Sequence, residues 1–203
     1  GLPNRKDEII YYPDLVESTL PLKLIAIAVG RQHALVLDKH GEVFAWGAGT
    51  CGQTGQGHKE TLMLPQRVNK LRGHKIISIG CGLDHSVALS RTHFPPLPVL
   101  FLSIVLTPNL PPQYTAARGR QSMVLGTILD GQLGLGDLQE DLSEAREIEF
   151  LRDKEIAEIF CGTDSTAFLS AAGELWTCGN GEAGLLGHGQ RGSITKHNTH
   201  THT

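Results

Sequence analysis

The sequence predicts an all-β protein assembled from repeated units of about fifty residues, and three observations carry that prediction. First, a glycine-rich pattern recurs in register: Gly30, His33, Leu37, Gly41, Gly47, Gly49, Gly52, Gly55 and Gly57 reappear 132 positions later as Gly162, Ser165, Leu169, Gly173, Gly179, Gly181, Gly184, Gly187 and Gly189. Only His33, replaced by Ser165, changes residue type. Second, an offset of 52 carries Pro13, Val16, Gly30, His33 and Leu37 onto Pro65, Val68, Gly82, His85 and Leu89. Third, 24 Gly and 10 Pro in 203 residues bound short apolar runs with no long helical period, a composition of strands joined by many turns. A unit with one apolar face needs a neighbour to cover it, so the repeat predicts one domain, a propeller or a solenoid.

The elements follow in chain order. Residues 1–12 precede the pattern, begin at Gly1, and lack the basic, apolar and small-residue succession of a signal peptide; a fragment or processed chain is expected. The repeat domain is placed at 13–189. In its first unit Ile25–Val29, His33–Leu37 and Val43–Trp46 are short β-branched or aromatic runs closed by Gly or polar turns, and Gln66–Val68 follows Pro65 as a fourth. Four short strands per unit are what a propeller blade requires. The intervening Gly47–Gly57 loop needs positive φ angles and close backbone approach. It contains G-x-G-x-x-G at Gly47–Gly52, repeated at Gly179–Gly184. A dinucleotide site would need a helix to start at those glycines, and further glycines follow instead, so the motif reads as a structural turn and no cofactor is expected.

The second unit runs from Gly80 and Gly82 through His85 to Leu89 and resumes at Gly126, Gly131 and Gly134, with 27 extra residues between. Six of the ten prolines fall in that gap, and its Phe94–Leu106 stretch is apolar and uncharged, unlike a solvated loop. An insertion at about 91–118 is therefore expected to lie outside the blade pattern, read either as translated intervening sequence or as a protruding partner-binding loop. Its most apolar part, Leu97–Leu106, is too short to span a bilayer, for which a helix needs about 20 residues, so a soluble protein without a membrane span is expected.

In the third unit, nine acidic residues between Asp137 and Glu158 face only Arg146, Arg152 and Lys154, a bias that either steers a basic partner or merely solvates a rim. A helix is a local possibility for Ser143–Ile159, but repeat register puts Arg146–Ile148 and Ile156–Phe160 on strands. Residues 190–203 lose the pattern and read as a disordered tail. Its His197, His200 and His202 lack further ligands to fix a geometry, so no metal site is expected.

Few residues invite chemistry. His33 and His85 share one repeat position, and duplication by blade geometry argues for buried scaffold imidazoles bonded to main-chain groups of a Gly-rich turn. Cys81 and Cys161 align with Val29 as small apolar positions, while Cys178 and Trp176 take the places of Trp46 and Phe44. Asp84 and Asp164 share a turn slot with Gln32, and nothing places them together as acid and base. The four cysteines, Cys51, Cys81, Cys161 and Cys178, have no paired short spacing, which argues against zinc and against a disulfide framework and for a reducing, intracellular compartment, cytoplasmic or nuclear. A net charge of −3 and the absence of a convincing basic patch argue against direct nucleic-acid binding. No catalytic residue is assigned.

The segments Val29–Leu35, Gly41–Gly47, Gly52–Gly57, Gly80–Leu89 and Gly131–Gly136 resemble the repeat of the regulator of chromosome condensation family, over about residues 13–90 and 119–189. The resemblance implies a β-propeller that closes with about seven blades in complete members; three to four blades' worth is present here, so missing blades or self-association would complete the ring. Its structural positions are Gly30, His33, Gly41, Trp46, Gly47, Gly52, Gly55, Gly82, His85, Gly131, Gly134, Gly162, Gly173, Gly179, Gly184 and Gly187. It also implies a function. The first reading is a non-enzymatic protein–protein interaction module within a larger protein. The alternative is guanine-nucleotide exchange on a Ran-like small GTPase, the family's founding activity, although no wedge motif or basic N-terminal tail matches. Light sensing by clustered tryptophans, as in a plant branch, is disfavoured with only Trp46 and Trp176 present.

Overall fold

In the computed structural model, which describes residues 13–91, 120–126, 131–136, 140–189 and 191, the repeated runs form three antiparallel sheets, the blades of an incomplete propeller. Blade 1 holds β1 (Leu24–Val29), β2 (His33–Asp38), β3 (Val43–Gly47) and β4 (Leu62–Arg67) in sequential order. Blade 2 holds β5 (Lys75–Cys81), β6 (His85–Arg91), β7 (Arg120–Gly126) and β8 (Leu142–Glu147). Blade 3 shows β9 (Ile156–Cys161), β10 (Ser165–Ser170) and β11 (Leu175–Gly179). Short 3₁₀ turns at Asn69–Leu71 and Glu149–Leu151 carry the chain from one blade to the next.

Register repeats down to its irregularities. The pairing of first and second strands slips once in each blade, between Leu24 and Ala26, between Ile76 and Ser78, and opposite Leu169 and Ser170. One extra residue at an equivalent place sharpens the local twist of each blade. The third strands end on Gly47, Gly126 and Gly179, paired with His33, His85 and Ser165. All three have φ between +98° and +119°, and a Cβ on any of them would run into the carbonyl of Gln32, Asp84 or Asp164. Left-handed backbone and close approach together leave glycine as the residue that fits.

The core lies between blades rather than within one. Leu35, Leu37, Val43, Ala45, Val68 and Leu71 of blade 1 pack with Ile76 and Ala88 of blade 2, and Ile79 and Cys81 close the edge of that cluster. Val87, Leu89, Leu142 and Ile148 of blade 2 likewise pack with Ile156, Ile159, Phe168 and Cys178 of blade 3. The repeat therefore buries its apolar area only as a stack, as in other one-dimensional repeat arrays.

The fourth strand differs from the sequence expectation. It begins at Leu62, includes Pro65 and ends at Arg67, and Val68 leaves it to become a buried residue before the 3₁₀ turn. β4 is the sheet edge and pairs only with β3, so the missing N–H of Pro65 interrupts no second ladder. Ser143–Ile159 is strand, 3₁₀ turn and strand, with no α-helix. Of the segment 91–118 only Arg91, the last residue of β6, is described; residues 1–12, and 190–203 apart from Arg191, also lie outside the described residues.

Candidate functional site

Two surfaces merit functional scrutiny: the polar seam between blades, and the rim at the opposite ends of the strands. In the seam, His33 and His85 are 3% and 0% exposed. Each reaches into the following blade, with Nε2 of His33 2.9 Å from Ser86 Oγ and Nε2 of His85 3.0 Å from Thr166 Oγ1. The partners are thus side-chain hydroxyls, where main-chain groups of a Gly-rich turn were expected. Those hydroxyls contact the turn themselves: Ser86 Oγ donates to the Gln53 carbonyl at 3.0 Å and Thr166 Oγ1 to the Gln132 carbonyl at 2.8 Å.

This relay fixes the tautomer. A hydroxyl whose proton is spent on a carbonyl can only accept from the ring, so both imidazoles carry hydrogen on Nε2. Nδ1 of each ring then presents a bare lone pair, without a hydrogen-bond partner among the described residues, against Gly30 or Gly82. A Cβ on Gly30 would strike the His33 ring and come within 2.7 Å of the Gly82 carbonyl; one on Gly82 would strike the His85 ring and come within 2.6 Å of the Gly162 carbonyl. Burial pushes both imidazoles down to about 4, opposed at His33 by the charge of Asp84 and reinforced at His85 by His33. The rings are neutral hydrogen-bond donors at neutral pH. They have no proton to give that is not already committed.

The remaining seam residues are also spent on structure. Arg31 N donates to Leu83 O and Leu83 N to Thr163 O, which links three successive turns, and the Arg31 guanidinium meets Asp84 at 2.7 Å. The Gly52–Gly57 loop tucks against blade 2, with Gly57 N donating to Ser143 O and a Cβ on Gly52 excluded by the Leu142 carbonyl. No helix begins at Gly47–Gly52, so the G-x-G-x-x-G pattern makes an inter-blade turn. Burial pushes the thiols of Cys81, Cys161 and Cys178 up to about 12, well away from nucleophilic thiolate chemistry. Among the described residues no group of three or more His, Cys, Asp or Glu could hold a metal ion. Nor is any helix among them long and apolar enough to cross a membrane.

The rim is different, because its charges face solvent. Beside blade 1 a groove of about 350 Å³ is bordered by Lys39 and His40 of the β2–β3 turn, by Glu42 and Arg67, and by Arg72, His74 and Lys75 where the chain enters blade 2. Glu42 is paired with Arg67. Lys39, Arg72 and Lys75 form no ion pair among the described residues. A broader groove of about 840 Å³ continues along blade 2 and is lined by Glu140, Asp141, Glu144 and Glu147 together with Lys70, His74 and Arg146. Lys59–Asp141 at 3.3 Å and Lys70–Glu144 at 3.1 Å tie the two rims together. The expectation of no basic patch is therefore corrected: Lys39 and Lys75 are far apart in sequence and the fold brings them to one groove.

Sequence reasoning missed the hydroxyls and the basic groove. The signal for the first was a Ser or Thr directly after the repeated position, at 86 and 166, where blade 1 has Ala34. The signal for the second was the contrast between Arg72-Gly73-His74-Lys75 and its counterpart Arg152-Asp153-Lys154-Glu155.

The model of the regulator of chromosome condensation (RCC1) repeat matches residues 40–89, and a second model of the same repeat matches residues 24–53. The ultraviolet-B receptor UVR8 of Arabidopsis thaliana is 30% identical over 199 residues, covering 84% of this chain and 44% of that protein. Among solved structures, human WBSCR16 superposes with a TM-score of 0.65 at 22% identity, over 86% of this chain and 37% of that one. Yeast RCC1 (Prp20), in its complex with Kap60, does so with a TM-score of 0.62 at 17% identity, over 88% and 38%. The chain spans less than half the length of each of these relatives.

Proposed function

We propose, from the premise that this chain belongs to the regulator of chromosome condensation repeat family, that it acts as a protein–protein interaction module without a reaction centre of its own. One observation carries the reading: the buried polar groups of the repeat hold blade to blade, whereas the unpaired charge is gathered on the solvent-facing rim. The seam imidazoles are sealed from solvent and pushed down to about 4, which makes them weak and inaccessible bases, and the buried thiols are protonated, so the seam favours neither general-base nor nucleophilic chemistry. A charged rim on a rigid array supplies orientation and encounter rate for a partner. The module comprises 13–189, interrupted at about 91–118, and operates in the cytoplasm or nucleus.

The test is chemical crosslinking of the full chain to proteins captured from cells, followed by mapping of the crosslinked lysines. Reproducible crosslinks from Lys39, Lys70 or Lys75 to one partner are the expected result; a chain that captures nothing above a charge-matched control protein refutes the reading. A parallel measurement of nucleotide release from a Ran-like GTPase separates the alternative. Acceleration that depends on this chain would replace simple binding with exchange.

A further inference from the structure

We propose that the groove beside blade 1 is a docking site for an acidic peptide segment of a protein partner, a specialisation that rests on the interaction reading above. The repeat itself provides the comparison. Lys39 corresponds to Arg91 in blade 2 and Ala171 in blade 3, Lys75 to Lys23 in blade 1 and Glu155 in blade 3, and Asn69 to Glu149. At the second junction Arg152 is held by Glu147 through two bonds of 3.1 and 2.9 Å, while its counterpart Arg72 has no carboxylate partner among the described residues. Positive charge thus recurs in two of the three described blades and is replaced in blade 3 by alanine, glutamate or a neutralised arginine, so the blade fold tolerates its loss.

The groove also has the shape and surroundings of a peptide site. Its floor is closed by Val43, Val68 and Leu71, whose side chains are committed to the inter-blade core, so the groove meets an extended segment mainly through the cations on its border, Lys39, Arg72 and Lys75. A long polyanion is disfavoured by the adjoining groove, where Lys59, Lys70 and Arg152 are already taken up by Asp141, Glu144 and Glu147 and leave no run of free cations to follow among the described residues. A nucleic acid needs a continuous cationic track, with several phosphates neutralised. This rim offers a short cationic patch followed by a neutralised stretch, which suits a short acidic segment.

The experiment uses the full chain and a fluorescein-labelled peptide rich in Glu and Asp, followed by fluorescence anisotropy. Binding should weaken steeply with added salt, because the rim charges are exposed. The double substitution Lys39→Ala with Lys75→Glu installs residues already used at the equivalent places of blade 3, and should weaken binding by roughly tenfold or more with an unchanged thermal transition. Arg72→Gln, a milder second variant, should weaken it by about threefold. A length-matched peptide of Gln and Asn should not bind, and a DNA duplex should not compete. The proposal is overturned if the acidic peptide does not bind, if Arg72→Gln and the double variant bind as the parent does, or if the neutral peptide or the DNA binds equally well. Crosslinks of a captured partner that fall away from this groove would overturn the groove assignment and leave the interaction reading standing.

Discussion

Replacing His85 by Ala isolates the energetic role of the seam. The ring is fully buried and donates from Nε2 to Thr166 Oγ1 across the blade junction. Truncation removes that bond and leaves one lone pair of a buried hydroxyl without its donor, a loss of about 1 kcal/mol. It also empties the space between Gly82 and the next blade, and partial collapse of that cavity adds about 1–2 kcal/mol. A total near 2–3 kcal/mol should lower the urea midpoint without much change in slope. Thr166→Val removes the partner, and the coupling between the two substitutions should be about 1 kcal/mol in a double-mutant cycle. Ser165, in the corresponding position of blade 3, makes no such bond to a following blade among the described residues, so Ser165→Ala should cost less than about 1 kcal/mol. The reasoning fails if His85→Ala lies within about 0.5 kcal/mol of the parent, or if the cycle shows no coupling.

Three further outcomes follow from the same geometry. The folded-state pKa of His33 and of His85 is depressed from 6.5 to about 4, so the unfolded chain binds more protons between those values. Stability should be full above pH 6.5, fall as the pH drops toward 4 by up to about 3 kcal/mol per histidine, and gain no further loss from these groups below that; urea titrations at several pH values check it, and a His33→Gln variant should flatten the slope. Gly82→Ala drives a Cβ into the His85 ring and the Gly162 carbonyl and should cost more than about 3 kcal/mol, whereas Gly73→Ala, at φ +90° in open space, should cost about 1 kcal/mol in thermal denaturation. Cys81, Cys161 and Cys178 should resist alkylation at neutral pH until the chain unfolds, while Cys51, half-buried in the Gly-rich loop, should label first in a mass-spectrometric time course.

The fold was legible because glycine positions with positive φ tolerate no substitute. Gly47 and Gly179 align at an offset of 132, and both stand where a third strand turns back under the preceding loop. The start of β4 was less legible, since Leu62–Pro65 sits on a sheet edge where a proline neither breaks nor marks a strand. The seam was half legible. A repeated histidine announced burial, but its partner is on the following blade, 53 residues away for Ser86 and 81 for Thr166, and no local pattern links residues across that distance. The basic groove was hidden for the same reason, because Lys39 and Lys75 meet only after β2, β3 and β4 have folded into a blade.

Repetition separates what the architecture requires from what a particular blade adds. Where the next blade's carbonyl approaches too closely for a Cβ, at Gly30 and Gly82, the residue is glycine, and the equivalent Gly162, which faces only Ser165 of its own blade, keeps it. Where an imidazole must hydrogen-bond across a junction, the hydroxyl appears on the receiving blade: His33 with Ser86, His85 with Thr166. Blade 1 carries Ala34 at the receiving position. The connection after the 3₁₀ turn obeys neither constraint. The step turns through an extended Arg72 and Gly73 at φ +90° in one copy and through a helical Arg152 and Glu155 at φ +48° in the other; the first is basic or neutral throughout, and the second alternates charge and ties its arginine to Glu147. Both copies occupy solvated rim positions with comparable exposure, so solubility would be served by either. Under the proposed docking role, this groove is where substitutions are expected to change binding before they change the fold, and the acidic-peptide titration of the Lys39→Ala/Lys75→Glu variant decides it.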